Sequence, residues 1–367
     1  MRAVNKMQIK GFRSIQTLDL ELQPLNILIG ANGAGKSNFL DSFRFLNHLA
    51  KRRLQLFVGV NGGADRLLHF GRKMTSSLHI KLSLMNSIYE CQLVPTTDDR
   101  LVFAVEAIAF HNQSNEHDST PLDLGAGHHE SQLPALLQQK SQVVKQHTQQ
   151  LLETIDKWQV YHFHDTSESA KVKQTGDIDD NHFLRANAEN LAAMLYLFKK
   201  VAPAHYEDIV RTIRLVAPFF DQFILRPSPL NPQKIKLEWL QKGSDTYFNA
   251  SALSDGTLRF ISLATLLLQP DLPPTILLDE PELGLHPYAI AILADLIISA
   301  ATKSQLIVST QSVTFVEEFA PEDIIVVSHL QGESTFKRLM PEKIALWLEE
   351  YTIGELWEKN ILGGRPA

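Results

Sequence analysis

The sequence contains a single cysteine and lacks any long apolar run. Cys91 alone cannot form an intramolecular disulfide, which is typical of proteins in a reducing cytoplasm. No stretch approaches the roughly 18 apolar residues that a membrane-spanning helix needs. The N-terminus, MRAVNKMQIKGFRSI, has no apolar segment of the signal-peptide kind. These absences predict a cytoplasmic protein with no membrane partner.

An excess of positive charge is also missing. The formal net charge is −6, so any nucleic-acid site must be a local basic patch. Hydrophobic residues make up 44% and charged residues 21%, which argues against wholesale disorder. There is no internal repeat and no long heptad run, so repeat and coiled-coil proteins are disfavoured. The 367 residues suffice for one large domain or two ordinary ones.

The apolar pattern near the N-terminus predicts strands and then a helix. Residues 4–29 read as strands that lead into a glycine-rich loop. Apolar residues at helical spacing then continue from Ser37 to about Arg53. Two further strands of an antiparallel sheet are expected within 79–110. The first 110 residues are therefore predicted to form an N-terminal lobe.

The remaining chain divides at a change of composition. Residues 111–190 hold eight of the fourteen histidines and many glutamines, and a helical stretch is expected over 133–155. From 251 onwards, helices alternate with short apolar strands, which is typical of a parallel sheet. We therefore expect a helical insertion or lid (111–235) and a C-terminal lobe (236–367).

A phosphate-binding loop is predicted between the third strand and the first helix. The motif GANGAGKS fits the pattern G-x-x-x-x-G-K-[ST] in a strand–loop–helix setting. Its residues are Gly30, Ala31, Asn32, Gly33, Ala34, Gly35, Lys36 and Ser37. Glycines let consecutive N–H groups point into one concavity, and the helix N-terminus adds positive potential. Lys36 is expected to reach the β- and γ-phosphates of ATP, and the Ser37 hydroxyl to bind Mg²⁺.

A second motif, TILLDEP, places two acids at the end of a buried strand. The carboxyl end of such a strand is where ligands bind in open α/β sheets. Asp279 is predicted to hold the Mg²⁺ water shell opposite Ser37. Glu280 is predicted to polarise the attacking water.

A third motif, LSDGTLRF, lies shortly before the acidic pair and begins a helix. Ser254 is a natural N-cap, so its side chain and the exposed N–H groups of the helix form another anion site. Gly256 permits a close backbone approach. The alternative is a helix that is capped and has no ligand.

Together these motifs resemble those of ABC-type ATPases, whose signature LSGGQ is similar to LSDGT. Several segments resemble the compact RecF/SMC/OLD-like branch, of AAA_21 type. They are IKGFRSI before the loop, Asn38 after it, ILLDEPELGLHP, LIVSTQSVTFVEEF and YTIGELWEKNILGG. The resemblance implies an α/β P-loop fold with a mixed sheet, an antiparallel β-subdomain and an inserted helical lid. It also implies a homodimer in which each signature loop covers the ATP held by its partner.

Several positions depart from that family pattern or extend it. Gln311 stands where a switch histidine is usual; its amide can contact a γ-phosphate oxygen but cannot titrate. His286 replaces the aspartate of the transporter D-loop. Gln159 and His164 are the positional candidates for the Q-loop residue. The resemblance places Arg13, in FRS, beside the nucleotide.

Two further groups of residues suit more than one interpretation. Basic residues outnumber acids between 44 and 73, and they fit either a DNA backbone or a solvated helix face; they are Arg44, Lys51, Arg52, Arg53, Arg66, Arg72 and Lys73. Arg66 or Arg72 can instead reach the nucleotide. His128, His129 and Glu130, like His162, His164 and Asp165, are interpreted as polar loop and sheet-surface residues, because metal sites need converging ligands. Only Mg²⁺ at the nucleotide is predicted.

The combined motifs predict an ATPase whose ATP-driven dimerisation gates a second activity, most simply on DNA during repair. A sensor subunit of an anti-phage or toxin-type system is the alternative, with the insertion docking a neighbouring-gene effector. A transporter motor is disfavoured by the FRSI start and by the size of the insertion.

Overall fold

The computed structural model describes residues 4–110 and 121–364. Residues 111–120, where the predicted insertion begins, lie outside the described part. The chain forms two compact units that interleave along the sequence. Unit 1 comprises Met1–Val160, Pro273–Leu277 and Ala320–Ala367, and unit 2 comprises Tyr161–Leu272 and Leu278–Phe319.

The elements of the described residues are numbered here in chain order. The strands are β1 (Val4–Phe12), β2 (Ile15–Glu21), β3 (Leu25–Ile29), β4 (Leu78–Leu84), β5 (Ser87–Pro95), β6 (Leu101–Phe110), β7 (Leu122–Asp123), β8 (Val160–Tyr161), β9 (Gly176–Asp177), β10 (Phe220–Ile224), β11 (Pro227–Ser228), β12 (Asn231–Ile235), β13 (Glu238–Gln241), β14 (Tyr247–Asn249), β15 (Thr275–Asp279), β16 (Gln305–Thr310), β17 (Ile324–Leu330) and β18 (Glu333–Arg338). The α-helices are α1 (Lys36–Ala50), α2 (Leu54–Val60), α3 (Ala64–Leu67), α4 (Gln142–Asp156), α5 (Leu191–Val201), α6 (Pro203–Val216), α7 (Asp255–Leu268), α8 (Pro287–Ala301), α9 (Val313–Val316), α10 (Pro341–Leu348) and α11 (Ile353–Glu358). Short 3₁₀ turns cover Leu133–Gln138, Lys171–Lys173, Ala250–Ala252 and Pro321–Asp323.

Unit 1 contains the predicted antiparallel sheet, in the order β2-β1-β4-β5-β6-β7. Ile9 of β1 lies opposite Leu18 of β2 and Ile80 of β4, so apolar residues of three strands share one face. Alternate residues of β4 are buried, as a strand with one covered face requires. Cys91 of β5 is fully buried, and burial raises the pKa of its thiol.

The fully buried strand β3 positions the first helix of unit 1. It pairs in parallel with β17, which pairs antiparallel with β18. The predicted apolar face of α1 is buried, and Phe43 packs edge-on against Trp158 with ring centroids 5.0 Å apart. The helix ends at Ala50 rather than near Arg53, and Arg52 takes a positive φ of 56° beyond it. The predicted parallel strand pairing is confirmed.

Unit 2 is built around α7, which packs against α6 and α8. Most of α7 is buried, including Phe260 and Leu266. Two small three-stranded sheets, β10-β13-β14 and β11-β12-β9, supply the strands before it. Unit 2 thus presents the N-terminus of α7 on a rigid helical support.

The helical stretch expected over 133–155 is broken, in unit 1. A 3₁₀ turn ends at Gln138, Gln139 is extended, and Ser141 caps the new helix α4 by accepting from the Val144 N–H. A serine at the N-cap competes with helix continuation, because its side chain bonds a free N–H at a helix start. The expected helical stretch therefore forms two separate helical pieces, a 3₁₀ turn and α4.

Candidate functional site

The glycine-rich loop takes a conformation that needs its glycines. Gly33 and Gly35 have φ of 78° and 110°, values that other residues rarely adopt. A Cβ on Gly30 would lie 2.3 Å from the Val327 carbonyl oxygen, and one on Gly35 would collide with the Ser334 side chain. The close contacts and the positive φ values therefore each require glycine in this loop.

Lys36 begins α1 with its side chain turned back into the loop. Its Nζ donates to the carbonyl oxygens of Gly30, at 2.6 Å, and Ala31, at 3.1 Å, and the residue is buried. The N-terminus of α1 has no capping side chain. Asn32, Gly33 and Ser37 are exposed. A buried ammonium and uncapped helix N–H groups favour an anion at this position, so the residues fit a nucleotide phosphate.

The glycine pair Gly363–Gly364 lies against one side of the phosphate loop. The Ala31 N–H donates to the Gly364 carbonyl oxygen at 2.8 Å. The Ala34 N–H turns back to the Ala31 carbonyl oxygen at 3.1 Å. In the sequence, NILGG is notable only for its resemblance to the family pattern. A glycine pair so distant along the chain gives no sequence indication that it contacts the phosphate loop.

Arg13 is fixed beside the start of α1 by acids and amides of unit 1. Its guanidinium contacts Asp41 at 2.6 Å and donates to Asn61 at 2.6 Å and to Asn38 at 3.4 Å. Asn38 in turn donates to the Ser14 hydroxyl at 2.6 Å. Arg13 therefore lies near the phosphate loop, and Asp41 and Asn61 are partners that the sequence motif did not reveal.

Asp279 is the last residue of β15 and Glu280 follows it, as expected, and both lie in unit 2. The Ser309 hydroxyl donates to Asp279 Oδ1, which orients that carboxylate. The Glu280 N–H donates to the Ser309 carbonyl oxygen at 2.9 Å, and Glu280 has a φ of 45°. A non-glycine residue in this region is strained and is often found at active sites. The carboxylate of Asp279 offers hard oxygen donors of the kind that suit Mg²⁺.

Glu282 is a buried acid that sequence reasoning missed. Its residue is 6% exposed, one carboxyl oxygen accepts from the Thr310 hydroxyl at 2.5 Å, and Oε2 has no hydrogen-bond partner in the described part of the chain. Burial raises the pKa of Glu282 to about 7, although the Thr310 bond opposes the shift. Gln311, the residue after Thr310, is exposed. An acid between Pro281 and Leu283 reads as a surface residue in the sequence.

The signature segment has the predicted cap. Ser254 accepts from the Thr257 N–H at 3.2 Å and begins α7, while Ser254 itself is exposed. A Cβ on Gly256 would lie 2.5 Å from the Gly284 carbonyl oxygen, so this glycine allows the first turn of α7 to pack closely against the chain at Gly284. His286 caps α8 by accepting from the Tyr288 N–H at 3.3 Å.

The histidine groups make other contacts. His128 Nε2 lies 2.8 Å from the carboxylate of buried Glu106, which accepts, and Glu130 accepts from the Leu54 and Gln55 N–H groups. β8 ends at Tyr161, so the expectation that His162 and His164 alternate along a strand is wrong. No cluster of three or more potential metal ligands occurs among residues 4–110 and 121–364.

The Q-loop candidates lie near the end of the first segment of unit 1 and the start of unit 2 in the sequence. Gln159 is half-buried just before β8, and His164 lies within 3.1 Å of the Asp279 carbonyl oxygen.

In the basic patch, Lys51 pairs with Asp156 and Arg72 with Asp65. The structure therefore gives three of these basic residues an acidic partner, counting Arg44 with Asp41.

The fold and the phosphate loop together define a P-loop ATPase of the ABC type, as the resemblance implied. The family model described as "AAA domain, putative AbiEii toxin, Type IV TA system" matches residues 25–317. The chain therefore belongs to this family.

Part of the chain is similar in sequence to DNA replication and repair protein RecF. The RecF of Erwinia tasmaniensis is 36% identical over 84 residues, which is 22% of this chain and 23% of that protein. The RecF of Klebsiella pneumoniae is 38% identical over 72 residues, 19% of this chain and 20% of that protein. The similarity thus spans less than a quarter of the length of these relatives.

Solved Smc heads are similar to this chain in fold. One, from Pyrococcus furiosus, carries an extended coiled coil and is bound to the C-terminal domain of ScpA; it has a TM-score of 0.56 and 18% identity, covering 95% of this chain and 99% of that one. Another, bound to the C-winged helix domain of ScpA, has a TM-score of 0.55 at 18% identity, with 94% and 99% covered. The predicted fold class is confirmed. Within the described ranges, no helix is both long and apolar enough to cross a bilayer.

Proposed function

We propose that this protein is a cytoplasmic ATPase that hydrolyses ATP in a homodimer and uses the cycle to gate a DNA-related activity. The observation that carries the proposal is the glycine loop around buried Lys36, in a chain that also has Glu280 held after a buried strand. A phosphate loop alone binds nucleotide. An acid fixed at a strand end adds the group that hydrolysis needs.

The nucleotide would be held by residues of the phosphate loop. The loop Gly30, Ala31, Asn32, Gly33, Ala34 and Gly35 would surround the phosphates, with Lys36, Ser37 and Asn38 at the start of α1. The Ala31 and Ala34 N–H groups, which donate to the Gly364 and Ala31 carbonyl oxygens, would shape the loop rather than contact the phosphates. Lys36 would release the Gly30 and Ala31 carbonyls and contact the β- and γ-phosphates. Arg13, already fixed by Asp41, would lie beside the nucleotide.

Hydrolysis would use the acids after β15. Ser37 and Asp279 would hold Mg²⁺, which supplies positive charge that neutralises the phosphate oxygens. Glu280 would orient the attacking water and accept its proton. Gln311 would donate an amide hydrogen bond to the γ-phosphate.

The homodimer would supply the other half of each site. Exposed Ser254 and the N-terminus of α7 have the features of a second anion site, and Gly256 lets α7 start close against the Gly284 carbonyl of its own chain. A two-fold pair of chains would place this segment of one copy on the ATP of the other. ATP would then stabilise the dimer, and hydrolysis would release it.

A second candidate function follows from the family match, whose description names a toxin of a toxin–antitoxin system. In that case the ATPase would control an effector encoded by a neighbouring gene. ATPase rates without DNA and with single-stranded, duplex and nicked DNA distinguish the two. Stimulation by one DNA form favours the DNA-related activity; equal rates with all forms favour the effector.

Lys36→Ala tests the ATPase itself. Loss of the ammonium removes the charge that holds the phosphates, so nucleotide binding and phosphate release should fall to background. Nucleotide affinity is measured with a fluorescent ATP analogue, and turnover by phosphate release. Lys242→Ala, at an exposed lysine of unit 2, is the matched control and should retain the wild-type rate. A Lys36→Ala protein that hydrolyses ATP normally contradicts the proposed site.

A further inference from the structure

Arg259 of the signature helix α7 bonds only main-chain oxygens in its described contacts. Its Nε donates to the Phe163 carbonyl oxygen at 3.1 Å, and Nη2 to that of His164 at 3.0 Å. Nη1 donates to the Leu283 carbonyl oxygen at 2.8 Å. All of these residues belong to unit 2. One guanidinium thus joins the signature helix to two segments, one after β8 and one after β15.

The same His164 contacts the chain at the acidic pair. Its Nε2 lies 3.1 Å from the Asp279 carbonyl oxygen and 3.4 Å from that of Glu280. Because a carbonyl oxygen can only accept, Nε2 carries the hydrogen. The His164 carbonyl oxygen therefore accepts a hydrogen bond from Arg259, and the His164 side chain donates to the backbone carbonyls of Asp279 and Glu280.

The backbone at Glu280 needs such support. Its φ of 45° is unfavourable for a glutamate and persists only where neighbours fix it. The Ser309 carbonyl oxygen accepts its N–H at 2.9 Å on one side. His164 supplies a donor on the carbonyl side. The direction of the Glu280 carboxylate thus depends on both contacts.

We propose that Arg259 and His164 are positioning residues that transmit the position of the signature helix to Glu280. The inference rests on the proposed ATPase function, in which the signature segment of one chain contacts ATP held by the other. A shift of α7 on engagement moves Arg259, which moves the His164 main chain and the hydrogen bond to the Glu280 backbone. Hydrolysis then depends on dimer engagement without a titrating switch residue.

Arg259→Gln and His164→Phe test this pathway. His164→Phe keeps the main-chain carbonyl that Arg259 contacts and removes only the imidazole donor. Each variant should lower kcat by about 10- to 100-fold, the cost typical of a misplaced catalytic group. The KM for ATP and the affinity for a non-hydrolysable analogue should change by less than about twofold, because ground-state binding is intact. His164→Gln, whose amide can donate, should recover part of kcat.

Two controls separate positioning from general damage. Arg211→Gln removes an exposed arginine of α6 and should leave kcat unchanged. In a Glu280→Gln background, adding Arg259→Gln should not lower the residual rate further, since both changes act through the same carboxylate. Arg259→Gln and His164→Phe combined should likewise cost no more than the larger single change.

The outcomes distinguish this inference from the proposed function. If the wild-type protein does not hydrolyse ATP, the proposed function fails. If the wild-type protein is active and His164→Phe keeps its kcat, the pathway is overturned and the ATPase stands. Equal losses in kcat and nucleotide affinity, or additive losses in the Glu280→Gln background, also overturn it. If Arg259→Gln does not fold, the His164 variants decide the result alone.

Discussion

Glu282 shows how burial at one residue can make the stability of the protein depend on pH. The side chain is buried, with one oxygen bonded to Thr310 and the other without a partner among the described residues. The folded protein therefore favours the protonated carboxyl, and the pKa rises from 4.5 to about 7. Between these values, the folded state binds a proton that the unfolded state has released.

Glu282→Gln should remove this dependence. The stabilising contribution of Glu282 is fully present below its unfolded pKa of 4.5 and is lost as the pH rises through about 7. Relative to wild type, Glu282→Gln should gain on the order of 3 kcal/mol in unfolding free energy between those pH values, with little further change above them. Urea unfolding of both proteins across this range measures the difference.

Glu350→Gln, at an exposed glutamate, is the control and should show no such trend. Parallel stability curves for wild type and Glu282→Gln would show that the carboxyl is ionised in the folded protein.

Individual site residues differed in how far the sequence revealed them. Gly30, Lys36 and Asp279 belong to motifs in which the spacing itself dictates the chemistry. Glu282 and Arg259 also lie within the quoted motifs, but their roles do not follow from the spacing, because they depend on burial and on contacts with residues distant in sequence. Such contacts do not constrain the identity of neighbouring residues in the sequence.

At the scale of elements, periodic patterns were informative and element ends were less so. The apolar stripe of α1 and the alternation in β4 follow directly from the geometry of helix and strand. The break before α4 depends on a Ser141 side-chain bond, which competes with a strong helical pattern. The two-residue strand β8 is too short to have a period.

Ser254→Ala should destabilise α7 even without nucleotide. The Ser254 hydroxyl satisfies the Thr257 N–H, and loss of such a cap costs about 0.5–2 kcal/mol. Chemical unfolding in nucleotide-free buffer measures the change. Ser251→Ala is the matched control: Ser251 is exposed, and its N–H contact with Asn249 survives the substitution. Equal stability of Ser254→Ala and wild type would show that the cap contributes nothing to the fold.

At the scale of the whole molecule, the functional motifs belong to two units. The phosphate loop lies in unit 1, and the signature helix and Glu280 lie in unit 2. The units interleave along the chain, and a linear sequence pattern does not encode which distant segments share a unit. The fold class was accessible from the sequence because the three motifs recur in a fixed order.

Glu280→Gln should trap the ATP-bound dimer. The amide keeps the size of the side chain but cannot accept a proton, so ATP would remain bound and hold two chains together. With saturating ATP and Mg²⁺, light scattering after size exclusion should report about twice the monomer mass, as a two-fold pair requires. Lys36→Ala in the same background should stay monomeric, because it lacks the nucleotide contact. A monomeric Glu280→Gln protein under these conditions contradicts the shared-site arrangement.

The burial of Cys91 has a practical consequence for following such a dimer. The only thiol of the chain lies inside the antiparallel sheet, and burial favours its unreactive protonated form. The native thiol of Cys91 should therefore not react with a thiol-labelling reagent. A single cysteine placed at Lys242 or Glu350, both exposed and outside the proposed site, would accept a fluorophore or spin label selectively. Distances between labels could then be followed through one round of ATP turnover without further changes to the chain.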